Sequence, residues 1–154
     1  MRQELQFLPL DVDLNREFLL AAHKETSKLT FGAAFTDEQI SREIERERDR
    51  SLGAYLNGEL AGLCDVERRS NAQGDYGWVH FFYLAEGFRG RGFGIQLIEE
   101  AVRFCKRERL SSLCLRVGKR NDNAYRFYVR NGFASMPEMD RPGEYALVKT
   151  IREE

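Results

Sequence analysis

The residues from Glu4 to Leu8 read as a short strand. From about Leu14 to Lys28 apolar residues recur at helical spacing, with Leu14, Phe18 and Ala21 or Ala22 on one side. Phe31-Gly32 breaks that helix. Thr36-Asp37-Glu38-Gln39 then has the form of a capping box, in which the threonine oxygen and the glutamine side chain satisfy amides at a helix start. The helix that follows, to about Arg50, has a narrow apolar seam at Ile40 and Ile44. Its remaining residues alternate in charge, the pattern of a solvated face. After it the period falls to two. Gly53 to Leu56 and Leu60 to Val66 flank Asn57-Gly58, a pair that supplies the positive φ angles of a tight hairpin. Tyr76 to Leu84 is a long aromatic strand, and unbroken alternation places Trp78, His80, Phe82 and Leu84 on one face. From about Gly92 to Arg109, Leu97, Ile98, Ala101, Val102 and Cys105 mark a helix with a buried stripe. Leu113, Leu115 and Val117 alternate as a strand. A short helix runs from near Asn121 to an αL cap at Asn131-Gly132, and two strands, Phe133 to Met136 and Tyr145 to Val148, close the chain.

No repeat, low-complexity tract or flexible linker interrupts this order. A chain of 154 residues, 42% hydrophobic and 12% aromatic, is long enough for one core and too short for two, so one domain over 1–154 is expected. Twenty-four Lys+Arg against 25 Asp+Glu leave a formal charge of -1. Without a global basic field, the Arg/Glu-rich second helix is a weak RNA-binding face, and no nucleic-acid partner is expected. No apolar run is long enough for a signal peptide or a membrane span, which points to a cytoplasmic protein with no membrane partner. Cys64, Cys105 and Cys114 are odd in number, lack metal-ligand spacing and sit among apolar residues. They read as reduced core residues, and no metal is implied.

Candidate chemistry lies in Glu86-Gly87-Phe88-Arg89-Gly90-Arg91-Gly92-Phe93-Gly94, between the aromatic strand and the amphipathic helix. Glycines at a strand-to-helix turn let backbone amides approach a ligand, and the helix start adds unpaired N–H groups and partial positive charge. A diphosphate-bearing cofactor suits such a turn, although a short glycine cluster by itself is also an ordinary tight turn. A dinucleotide fingerprint fails, because Gly90, Gly92 and Gly94 do not follow G-x-G-x-x-G and several strands precede them. A phosphate-binding loop of the Gly-Lys-Ser/Thr kind is absent.

Arg89-Gly90-Arg91-Gly92-Phe93-Gly94 resembles the coenzyme signature of the GNAT family of N-acetyltransferases: Arg or Gln, two residues, Gly, one residue, Gly or Ala. Downstream, Asn121, Ala124, Tyr128, Gly132 and Phe133 stand in a second spacing typical of that family. The resemblance covers about Gly53 to Ile151 well. Glu86 stands where many members have proline. The resemblance implies an α/β (α+β) fold, a mixed, mostly antiparallel sheet of about seven strands with four helices, splayed between the fourth and fifth strands. It implies acetyl-CoA as co-substrate, with Arg89, Gly90, Arg91, Gly92, Phe93 and Gly94 at the pyrophosphate. Leu84 and Val117 would border the pantetheine arm, and Asn121 and Ala124 would lie beside it. The Leu84 backbone N–H would polarise the thioester carbonyl. Tyr128 resembles the tyrosine that protonates the leaving thiolate, though its spacing alone equally fits a core aromatic.

An alkylammonium of pKa about 10.4 must lose a proton before it attacks, so a base is needed. His80 is the best single candidate, and a packing residue by the opposing reading; Asp65 and Glu67, on one face of the preceding strand, are its rivals, with bulk solvent as the remaining alternative. The resemblance implies that the acceptor, a small-molecule or peptide amine, meets the first two helices and the loop from Met136 to Glu144, whose acids read equally as solvated. The expected product is a monomer or homodimer that transfers acetyl groups. The alternative is a non-catalytic acyl-CoA-binding sensor module, which would keep the loop and need neither Tyr128 nor a base.

Overall fold

Each of the expected elements forms in the computed structural model, which describes residues 2–152; Met1, Glu153 and Glu154 lie outside the described residues. In chain order these are β1 (Gln6–Pro9), α1 (Arg16–Phe31), α2 (Asp37–Glu47), β2 (Leu52–Leu56), β3 (Glu59–Asn71) and β4 (Gly74–Leu84). Then follow α3 (Phe93–Arg107), β5 (Ser112–Gly118), α4 (Asp122–Arg130), β6 (Ala134–Ser135) and β7 (Glu144–Thr150). The strands form one sheet in the order β1-β2-β3-β4-β5-β7-β6, antiparallel except where β4 meets β5. This is the mixed, mostly antiparallel sheet with four helices that the resemblance implies.

Local chemistry accounts for most boundaries. Gly32 takes φ 84° and closes α1, and the capping box at Thr36 and Gln39 has both of its hydrogen bonds. Asn57 and Gly58, at φ 50° and 83°, turn β2 into β3. The β3–β4 hairpin is longer than expected, because polar Arg68 to Asn71 pair with Gly74 to Gly77 beyond the apolar run. Leu14 departs from its expected place on the inner side of α1: it precedes the N-cap Asn15 and is 82% exposed, while Leu19 and Ala22 are buried instead.

The sheet carries helices on both faces. Leu19, Ala22, Ile40 and Ile44 of α1 and α2 pack with Leu63 and Phe81 on one face. On the other, Ile98, Ala101 and Cys105 of α3, with residues of α4, pack against Val79, Leu113, Leu115 and Val117. In β4 the register slips by one. Asp65 pairs with Phe81 and Val66 with Val79, so His80 is an extra residue, a β-bulge. The bulge overturns the expectation that Trp78, His80, Phe82 and Leu84 share a face. Phe82 and Leu84 pack on the α3 side, whereas the His80 ring reaches Glu43 of α2 on the opposite side. A single inserted residue reverses the side-chain alternation beyond it.

The same region opens the sheet. β4 and β5 pair only at Gly77↔Leu113 and Trp78↔Cys114, yet β4 continues to Leu84 and β5 to Gly118. Beyond Trp78 the two strands part into a V, and the bulge bends β4 where the parting starts.

Candidate active site

The loop from β4 to α3 begins with a short 3-10 turn, Glu86–Phe88, and ends at Gly92, the N-cap of α3. Gly90 and Gly92 hold φ 72° and 84°, values that side-chain-bearing residues seldom adopt, and a Cβ at either would meet nothing within 4 Å. Open space therefore lies where their side chains would be. Gly94 serves a different purpose: a Cβ there would stand 2.9 Å from the Phe127 ring, so its absence lets α4 close against α3. The N-terminus of α3 is chemically unlike the other three. Like α1 it has no side-chain cap, but it alone of the four has no acid in its first turn, whereas α1, α2 and α4 carry Glu17, Asp37 with Glu38, and Asp122 there. Its first amides and positive dipole end remain free for an anion.

Both loop arginines are engaged within the protein. Arg89 donates from Nε to the Leu84 carbonyl at 2.8 Å and from Nη2 to Glu25 at 2.7 Å, and lies over the Tyr83 ring. Tyr83 donates to the same Glu25 carboxylate at 2.7 Å; burial first, then the hydrogen bond to Glu25, pushes its phenol up to about 12. Arg91 donates to the Gly87 carbonyl and lies over Phe88 and Phe93.

Leu84 and Val117 stand on the two arms of the V. Ala85 N–H donates to Ala61 at 2.8 Å, which makes 61 and 85 a hydrogen-bonded pair and the neighbouring Gly62↔Leu84 a non-hydrogen-bonded one. The backbone groups of Leu84 thus point away from β3 into the V. Its carbonyl takes Arg89, and its N–H faces the opening. Across the V, Asn121 is the N-cap of α4, with Oδ1 accepting from Ala124 N–H at 3.2 Å, so capping accounts for the Asn-x-x-Ala spacing. Tyr128 packs edge-on against Phe127 and Phe133, at the margin of the core between the sheet and α3. Its hydroxyl has no hydrogen-bond partner among the described residues, and burial pushes the phenol up.

The three proposed bases lie on the opposite face of the sheet and differ sharply in availability. Asp65 is fully buried and receives Arg50 bidentately, at 2.8 Å on each oxygen. Glu67 binds Arg50 at 3.0 Å and Arg69 at 2.7 Å; burial pushes it up, and these two arginines more than offset that, leaving it low. Among the described residues the His80 ring has a single hydrogen-bond partner, Glu43 at 3.2 Å. Replacing Asp65 with Asn removes the charge of the bidentate partner and leaves Arg50 only Glu67, so the variant should melt lower by roughly 5 °C in circular dichroism. An unchanged melting point would show that the ion pair contributes nothing net.

The helix α2, which reads as a plain solvated face, proves to be more than that. Glu43 reaches His80, and Glu47 is fully buried against His23, whose ring stacks on Phe81. Alternating charge conceals these contacts because their partners lie on other elements. The cysteines are free and buried as expected. Burial pushes the thiols of Cys64, Cys105 and Cys114 upward, Cys105 to about 11, so none offers a ready thiolate.

The sequence profile of the acetyltransferase (GNAT) family matches residues 16–133. An uncharacterized N-acetyltransferase of Methanocaldococcus jannaschii is 32% identical over 93 residues, which cover 58% of this chain and 41% of that protein, so the match spans less than half of that relative. A spermine/spermidine N(1)-acetyltransferase of Bacillus subtilis is 26% identical over 152 residues, covering 90% of this chain and 94% of the other. The PaiA N-acetyltransferase of Thermoplasma acidophilum, solved in complex with coenzyme A, shares the fold with a TM-score of 0.70 at 19% identity, over 96% of this chain and 99% of that one. A profile match over most of the chain, joined to a splayed β4–β5 pair and an uncapped helix at its mouth, places it: the chain belongs to the acetyltransferase (GNAT) family.

Proposed function

We propose that residues 1–154 form one acetyl-CoA-dependent N-acetyltransferase domain that acetylates a primary amine of a small molecule or peptide by direct attack in a ternary complex. The observation that carries this reading is the Leu84 N–H, turned away from β3 and unpaired among the described residues, inside a V whose mouth is the acid-free N-terminus of α3. The amides around Gly92 hold the pyrophosphate, and Leu84 and Val117 border the pantetheine arm. Bound there, the coenzyme supplies an electrophilic thioester and a thiolate leaving group. Leu84 N–H stabilises the charge that develops on the carbonyl oxygen as nitrogen attacks carbon. As the C–S bond breaks, Tyr128 gives its proton to sulfur, and the amine surrenders its own proton to the base. Three buried, high-pKa cysteines support direct attack over an acyl-cysteine route. The relative named for spermine and spermidine supports an amine acceptor.

His80 is the base that the geometry favours, since Asp65 and Glu67 are each tied to arginines. The test is a thiol-release assay with acetyl-CoA against polyamines, amino acids and short peptides, run across pH. His80→Gln should lower turnover at neutral pH by roughly tenfold to a hundredfold and flatten the limb along which the rate rises with pH. Retention of that limb in His80→Gln, with its loss in Glu67→Gln, would move the base to β3.

A further inference from the structure

On the α1/α2 face of the V, arginines outnumber the carboxylates left free to meet them. Leu113, Leu115 and Val117 of β5 face α3 and α4, so alternation turns Arg116 to the other side, two residues beyond the last β4–β5 pair. Its guanidinium lies 4.8 Å from the centroid of Trp78, and Arg69 approaches the same ring at 4.7 Å from the strand on the other side of β4. Nε of Arg116 donates to the Met139 carbonyl in the β6–β7 connection at 3.0 Å. Its Nη1 and Nη2 have no protein partner among the described residues, and neither is sealed from solvent.

The carboxylates nearby are otherwise occupied. Asp65 and Glu67 hold Arg50 and Arg69, Glu43 meets His80, and Asp140 accepts the Ala146 amide at 2.7 Å. Glu144 is the exception. It lies two register steps along β7 on the same face as Arg116, and Arg141 opposes its charge there. Burial, then the charge of Arg141, lowers the pKa of Arg116, the direction expected for a cation short of a counter-charge. A polycationic acceptor would need the reverse, free carboxylates around a site with its arginines paired.

We propose that the acceptor amine carries a carboxylate, and that the outward fork of Arg116 binds it while the amine faces the V between His80 and Leu84. This rests on the acetyltransferase reading above and adds the chemical class of its acceptor. Arg116 holds a planar anion through two parallel N–H donors, and Trp78 and Met139 fix the fork in advance.

The test compares amino acids with their α-amides in the thiol-release assay, with spermidine as the carboxylate-free amine. Wild type should prefer the best amino acid over its amide by roughly ten- to a hundredfold in kcat/KM, the range of a lost charge-assisted hydrogen bond. In Arg116→Met, which keeps an unbranched apolar stem against Trp78, that ratio should collapse toward one. Arg116→Lys, a point charge without the fork, should restore part of it. Equal turnover of acids and amides by wild type, or spermidine as the best acceptor, overturns the carboxylate inference and leaves the acetyltransferase standing. Release of thiol with no amine of the panel overturns both. The wild-type comparison decides the matter even if Arg116→Met fails to fold.

Discussion

Gly92→Val should weaken acetyl-CoA binding by at least about a hundredfold while the far-UV circular dichroism spectrum stays that of wild type. The valine side chain acts separately on the protein and on the ligand. On the protein itself the cost is confined to the backbone: Gly92 sits at φ 84°, where a branched Cβ is strained by about 1–2 kcal/mol, yet the Cβ would meet no atom within 4 Å. A domain of this size tolerates that loss. On the ligand the effect is steric and larger. The space a valine would fill is the approach to the first amides of α3, which lack a side-chain cap. Keeping a pyrophosphate from two such amides forfeits two charge-assisted hydrogen bonds of about 1.5–3 kcal/mol each. Isothermal titration of acetyl-CoA measures the difference, and a variant that binds like wild type would remove the pyrophosphate from this loop.

Much of this molecule was legible because its punctuation is local. The capping box at Thr36, the Asn57-Gly58 turn and the glycine after Asn131 each act within a few residues, and each forms. The coenzyme loop was legible for the same reason, since its contribution is made by backbone amides that glycines expose. What escaped depends on partners distant in sequence. Alternation alone put His80 beside Leu84, but a one-residue bulge against β3 turned it toward Glu43, 37 residues away. Asp65 and Glu67 looked like free carboxylates until Arg50 folded onto both. Arg116 gave one signal, a lone charge in the apolar strand Leu113 to Val117, whose meaning needed Trp78 and Met139 in place. The bulge also joins fold to chemistry, because it bends β4 where the V begins and sets His80 on the side opposite Phe82 and Leu84.

Tyr128→Phe should leave acetyl-CoA affinity nearly unchanged and lower turnover by roughly one to three orders of magnitude with a good acceptor. The substitution keeps the ring that packs on Phe127 and Phe133 and deletes only a hydroxyl that has no protein partner among the described residues, so no internal hydrogen bond is broken. Any loss of rate therefore belongs to the proton that the hydroxyl delivers. The direction of its pKa adds a second expectation. A phenol acts as an acid only while protonated, and burial raises the pKa of Tyr128 above the ordinary value of about 10, so the acid form persists through the neutral and alkaline range and is lost only above it. Wild-type turnover should then show no fall from Tyr128 between about pH 8 and pH 10, while Tyr128→Phe should run low and parallel to wild type over that span. Steady-state thiol release at saturating acetyl-CoA gives both results. If the variant turns over like wild type, Tyr128 is a packing residue and the departing thiolate takes its proton from water. If the two profiles instead converge as the pH approaches 10, the phenol is titrating in that range, and burial raises it less than its place between Phe127 and Phe133 requires.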